Sequence, residues 1–228
     1  MSSVSSERLD LAERATLAAA QALEAACDEL CILDSAAGDG DHGFAMAEAA
    51  RKIRSELAER PPADLAGLVD LAAGALAGVG GAMGALGYVL VQALLDGATA
   101  SAASLSPEDI VRMLADAENA VTSFAGAKAG DKTVVDAIVA ARVAAEDGVR
   151  LDESTSQTLS RAAAGAQEGA AATAAMIATL GRASRLGERS RGTVDPGARS
   201  FAIALGALAD AYATESPVPS QPANRTGP

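Results

Sequence analysis

The chain has 228 residues and a formal net charge of −12, and half of its residues are apolar while only 2% are aromatic. That length suits one large domain or at most two small ones, with a core built from Ala, Leu, Val and Ile. The acidic balance argues against nucleic acid, whose binders carry a basic footprint. No apolar run approaches the roughly 20 residues of a membrane span, and MSSVSSERLD has no signal pattern, so a soluble cytoplasmic protein without a membrane partner is expected.

Ala-rich stretches such as LAERATLAAAQALEAA point to helix, since Ala is the best helix former and lets helices approach closely. A first helix is expected over 6–31, a second from Phe44 to about Arg60, ended by Pro61 and Pro62, and a third over 64–77. GVGGAMG then opens an apolar helix, ALGYVLVQALL. SPEDI, with Ser106 as N-cap, Pro107 at the first helical position and acids in the first turn, starts another that runs to about Gly126. Helices are expected over 133–148, 156–180 and 198–214, with 181–200 irregular. LCILD continues a helical pattern, so no strand is expected. The fold class is therefore all-α with about eight helices over residues 1–214, followed by a disordered Pro/Ser-rich tail at 215–228. Cys27 and Cys31 share a helix face without completing a zinc site, and read as buried core thiols.

The loop GDGDHG, Gly38–Gly43, has the glycine spacing of a dinucleotide-binding turn. That reading needs a preceding strand and a βαβ context, and Asp39 and Asp41 would repel a bare pyrophosphate. An EF-hand counted from Asp39 fails as well, because its glycine position holds Phe44 and its twelfth position Ala50. A solvated turn is the bland alternative. A hard-metal site fits better: Asp34, Asp39 and Asp41 can converge if Asp34 ends a helix and Gly38 and Gly40 fold the loop back. Magnesium takes a few carboxylates and fills its other positions with water and phosphate oxygens.

Three other segments join this reading. GVGGAMG can present backbone amides at a helix start, although close helix packing explains it as well. GAKAGDKT has the flavour of a phosphate loop but neither its spacing nor a preceding strand. Five of the eighteen basic residues, Arg182, Arg185, Arg189, Arg191 and Arg199, fall in one stretch and make a local positive patch.

GDGDHG, GGAMG, GAKAGDKT and GRASRLGERSRGTVDPGA occur in the order seen in the dihydroxyacetone kinase L subunit family, and the chain resembles that family over roughly residues 5–215. The resemblance implies a barrel of eight antiparallel amphipathic helices with the nucleotide site in loops at one end. It implies that Asp34, Asp39 and Asp41 hold two magnesium ions against the phosphates of ADP or ATP. His42, Gly43, Phe44 and Ala45 match the segment lying along the phosphates, and Ala82 and Met83 a phosphate-facing pair. Gly126 and Val134 match the adenine pocket, Arg182 an arginine at the nucleotide, and Asp195, Pro196 and Gly197 a DPG lid. Phosphoryl transfer would rest on metal ions and backbone donors, with Arg182 the one side chain with a candidate catalytic role.

The implied function is the ADP/ATP- and magnesium-binding subunit of a kinase for dihydroxyacetone or a related short ketose. The acceptor would be held on a separate K-type subunit through that subunit's own histidine, so His42 is a loop residue with a structural or a phosphate-side role. A phosphoryl-donor protein and a second copy of the chain are further partners compatible with the reading. Ala45 and Met83 depart from the Asn or Thr and the Ser often found there, and Ala129 from the usual Pro. These departures motivate an alternative, a nucleotide-binding regulatory module with weak or no transfer.

Overall fold

The computed structural model describes residues 3–100 and 105–214. Among them the secondary structure is helical, in nine α-helices: α1 (Ser3–Ala25), α2 (Cys27–Ser35), α3 (His42–Glu59), α4 (Leu65–Ala77), α5 (Gly81–Ala100), α6 (Pro107–Ala125), α7 (Val134–Arg150), α8 (Thr155–Ala172) and α9 (Pro196–Ala213). Short 3-10 segments cover Thr173–Ala175 and Arg182–Ser190. The tail expected at 215–228 lies outside the described residues. None of the described helices is long and apolar enough to cross a membrane.

The first expected helix is broken at Ala26 (φ −86°, ψ 6°) into α1 and α2. The remaining eight helices are the staves of a closed barrel. α1 packs on α3, and each later helix packs on the next in turn, until α9 returns to α1. Each stave leads on to the neighbour it packs against, by short connections except at 26–41 and 173–195, and successive staves are antiparallel. α2 lies outside the ring, against α3 and α9.

Small side chains set how closely the staves approach. Ala137, Ala141, Ala145, Ala162 and Ala166 are fully buried with Ile138 in the larger core cluster. A Cβ on Gly169 would lie 2.6 Å from the Ala140 Cβ and 2.7 Å from the Asp136 carbonyl oxygen, so α7 and α8 touch backbone to backbone. A second cluster, Ala20, Ala50, Ile53, Ala72 and Ala75, fills the side of α1, α3 and α4.

The alternation has one consequence for function. The loops 36–41, 78–80, 126–133 and 173–195 all fall at one end, and each delivers the chain to a helix start: α3, α5, α7 and α9. Connections 60–64 and 151–154, with the start of α6, fall at the other end. There the helices close on themselves. Asp64 accepts from the Gly67 amide (2.8 Å), Ser106 and Asp109 exchange bonds of 3.2 and 3.0 Å, and Ser154 and Gln157 form the same box.

Five further expectations are corrected. The helix expected over 156–180 ends at Ala172, because buried Thr173 is drawn off the helical ladder. Its hydroxyl accepts from the Asp195 amide (2.8 Å) and its carbonyl accepts from the Lys132 ammonium (2.6 Å). The second helix starts at His42, not Phe44, and the last at Pro196, not 198. Residues 182–190 form 3-10 turns kinked at Gly187. Cys27 and Cys31 are free and half-buried, because α2 sits outside the ring.

Candidate functional site

Asp34 stands in the last turn of α2, and Asp39 and Asp41 in the loop that follows. Asp34 is 7% exposed and organises that loop: its Oδ2 accepts from the amides of Gly40 (2.9 Å), Asp41 (3.0 Å) and His42 (3.4 Å). The fold-back needs Gly40 at φ +79° and Gly38, where a Cβ would lie 2.2 Å from Asp34 Oδ1. Asp41 precedes α3 yet makes no side-chain cap bond, so its carboxylate is not spent on the helix.

One oxygen from each aspartate lies within 4.8 Å of the others, Asp34 buried and the other two exposed. Three hard carboxylates around one point fit a magnesium-type ion and suit no soft metal. The Arg182 guanidinium reaches into the same point, paired with Asp39 and, at 3.5 Å, with Asp41. Partial desolvation opposes it, but its own amide and the Arg182 guanidinium hold the Asp39 carboxyl below its usual range. A carboxylate in that state is ready for a cation.

His42 opens α3 and is buried. The Ser200 hydroxyl donates to the Gly197 carbonyl (3.0 Å), so it must accept from His42 Nε2–H at 3.1 Å. Burial holds the imidazole below its ordinary pKa, against the pull of Asp34 and Asp41. The ring is a neutral pin between the aspartate loop and the start of α9. Gly43 is buried beside it, Phe44 is exposed and Ala45 is half-buried. In this first turn of α3 the amides have no intrahelical acceptor.

The pin extends further. A Cβ on Gly197 would lie 3.8 Å from the Val134 Cβ, so the DPG segment abuts the start of α7. Asp195 caps α9, accepting from the Ala198 amide (2.7 Å), with Pro196 at the first helical position. Ala82 and Met83 occupy the first turn of α5, and Gly126 (φ +68°) ends α6; these three share the end with the aspartates by topology alone. Of the other arginines, Arg199 pairs with Glu29 and Arg191 with Glu188.

Burial pushes the Asp195 carboxyl up to about 6, against the Ala198 amide and the Lys132 charge, which pull it down. A raised folded-state pKa means the folded protein binds this proton more tightly. The resulting stability is complete below the unfolded value near 4 and is lost as pH rises through about 6. Relative to Asp195→Asn, which keeps the cap, wild-type protein is expected to melt about 4 °C higher, compared with its own value at neutral pH, when scanned near pH 5. Parallel shifts of both proteins in differential scanning would refute an ionised, buried Asp195 at neutral pH.

Sequence reasoning passed over the polar residues that wire these loops together: Lys132, Thr173, Thr179, Ser190 and Ser200. The signal available was the charged pair inside GAKAGDKT.

Residues 36–210 match the DAK2 domain family; Asp39, Asp41 and Arg182 fall inside that range and Asp34 two residues before it. The chain is 36% identical over 204 residues to a D-erythrulose kinase of Mycolicibacterium smegmatis, covering 88% of this chain and 35% of that protein. It is 34% identical over 179 residues to the ADP-binding subunit DhaL of the PEP-dependent dihydroxyacetone kinase of Escherichia coli, covering 78% and 84%. It superposes with a TM-score of 0.65 and 28% identity on the dihydroxyacetone kinase of C. freundii crystallised with AMP-PNP and Mg2+, over 87% of this chain and 33% of that one. The chain spans about a third of the length of the erythrulose kinases it matches.

Proposed function

Because the chain belongs to the DAK2 domain family, we propose that it is the ADP/ATP- and magnesium-binding part of a kinase for dihydroxyacetone or a related short ketose such as erythrulose. The observation that carries this reading is the convergence of Asp34, Asp39 and Asp41 within 4.8 Å at the barrel end that carries four glycine-bearing loops. The relatives named as erythrulose kinases and as an ADP-binding kinase subunit support the acceptor class and the nucleotide.

The three aspartates would hold two magnesium ions, which neutralise phosphate charge during phosphoryl transfer. The chain's own part is positional. Asp34 fixes the loop through three amides, and this places Asp39 and Asp41. The first-turn amides at Gly43, Phe44, Ala82 and Met83 face phosphate as open donors. Gly126 and Val134 would border the base, and Arg182, now paired with Asp39 and Asp41, would be the cation to bind phosphate oxygens. The ketose would be presented by a K-type unit docked on this end. The donor is ATP itself or a phosphorylated protein that recharges bound ADP.

The alternative of a regulatory module rests on Ala45 and Met83, which offer no side-chain hydrogen bond to phosphate. Calorimetric titration of ADP and ATP with and without magnesium tests the shared part of both readings. Magnesium-dependent binding is expected. Absence of binding at millimolar nucleotide would remove both. Phosphoryl transfer in the presence of a K-type subunit then separates the kinase from the module.

A further inference from the structure

Apart from Gly126, GAKAGDKT finds no role in the site above, yet its Asp131 and Lys132 are among the most buried charged residues described, 7% and 4% exposed. Lys132 adopts a left-handed backbone (φ +62°) that turns its side chain inward. Its ammonium donates to the carbonyls of Thr173 (2.6 Å) and Thr193. Asp131 Oδ1 accepts from the Thr179 hydroxyl (2.6 Å), and its carbonyl from the Thr179 amide (3.3 Å). Thr179 and Thr193 are the two feet of one excursion of the chain. Between them lie Gly181 (φ +66°) and Gly192 (φ +99°), and between those glycines Arg182, Arg185, Arg189 and Arg191. The feet are also tied to each other and to the end of α8: the Ala178 amide donates to Ser190 Oγ (2.9 Å), and the Gly192 amide to the Ala174 carbonyl (2.8 Å).

We propose that Asp131 and Lys132 are positioning residues: two adjacent side chains clamp both feet of an arginine-bearing flap, residues 180–192, and thereby fix where Arg182 meets the aspartate triad. The physical case is one of cost. A buried ammonium is tolerated only where its protons are taken by acceptors, and here the acceptors are backbone carbonyls of segments 41 and 61 residues away. A lysine that merely filled space would be replaced at lower cost by an apolar residue. Hydrogen bonds from the Thr179 hydroxyl and the Lys128 amide hold Asp131 ionised, which keeps the first foot bound. Ser190, Arg191 and Gly192 are bonded to residues 174–178, whereas Arg182, nearer the first foot, bonds outside the flap only to the exposed carboxylates of Asp39 and Asp41, so it can exchange its partners while the hinge points stay in place. The link to phosphate rests on the proposed function; the clamp itself does not.

The test uses the full chain. Lys132→Met removes the ammonium, and Thr179→Val, at an exposed position, loosens only the first foot. Each is followed by circular dichroism, by timed trypsin digestion with mass-spectrometric assignment of cuts after Arg182, Arg185 and Arg189, and by magnesium–ADP calorimetry. Both variants are expected to keep the helical spectrum, to be cut in the flap roughly ten-fold faster, and to bind magnesium–ADP roughly ten-fold more weakly. Combining either with Arg182→Ala is expected to weaken binding no further than Arg182→Ala alone, since the clamp acts through that arginine. Wild-type cutting rates in Thr179→Val, or losses that multiply in the double variants, would overturn the proposal. If Lys132→Met does not fold, the Thr179→Val pair decides. If the wild-type chain itself binds no nucleotide, the functional reading fails, and the cutting rates alone judge the clamp.

Discussion

The Asp39→Ala protein is expected to lose magnesium-dependent nucleotide binding by about 100-fold or more while keeping its fold. A lost metal ligand costs at least as much as the upper range for the residues that support ligands, about 10- to 100-fold in affinity. The fold should survive because Asp39 is exposed and its one cross-loop partner is Arg182. Asp34, by contrast, holds three loop amides, so its removal mixes lost coordination with a disordered loop. Asp39 is therefore the informative position. Calorimetry with and without magnesium reads the effect. Retained magnesium-dependent affinity in Asp39→Ala, with an unchanged melting curve, would show that the triad is not the cation site.

Gly169→Leu is expected to destabilise the chain by about 3 kcal/mol or more, at the upper end of what overpacking costs. The reason is the nature of the obstacles. The new Cβ would meet the Asp136 carbonyl oxygen at 2.7 Å and the Ala137 Cα at 3.0 Å, and backbone cannot turn aside as a side chain can. α7 and α8 would have to separate, opening the seam around Ala137, Ala141 and Ala166, which are fully buried. For a domain of this size the melting temperature should fall by roughly 10 °C. Gly206→Ala is the control: its Cβ would meet only the Gln167 Nε2, at 3.6 Å, and should be tolerated. Equal melting temperatures for Gly169→Leu and wild type would mean that the two helices are not in backbone contact.

What could be read from the residues follows a physical line. SPEDI announced α6 because a capping box is local: Ser106 and Asp109 satisfy each other's amides within four residues. The count of about eight helices and the glycine-rich character of several loops were legible for a similar reason, since breaks and apolar faces lie along the sequence, whereas the closure of the helices into an antiparallel ring with those loops at one end was implied only by the family resemblance. The closeness of Asp34, Asp39 and Asp41 was legible because eight residues contain all three. The early end of α8 was not. It depends on Thr173 giving its polar groups to Asp195 and Lys132, which stand 22 and 41 residues away. Nor was Lys132 legible as a tie, because it binds carbonyls, and every residue has one. The half-burial of Cys27 and Cys31 depends on where α2 lies relative to the ring, which no periodicity encodes.

The division of the barrel into an end that gathers the glycine-bearing loops and an opposite rim gives the molecule a working face and a handle. α1 runs towards the aspartates and α9 runs away from them, so Ser3 and Ala213 both emerge at the handle. Staves of 17 to 18 residues such as α7 and α9 place that rim about 25 Å from the site. Anything tethered covalently to either end of the described chain therefore starts on the far side from the aspartates, and needs a linker of about eight extended residues or more to reach them. A tether can set how often the working face meets its acceptor, without adding a group to it.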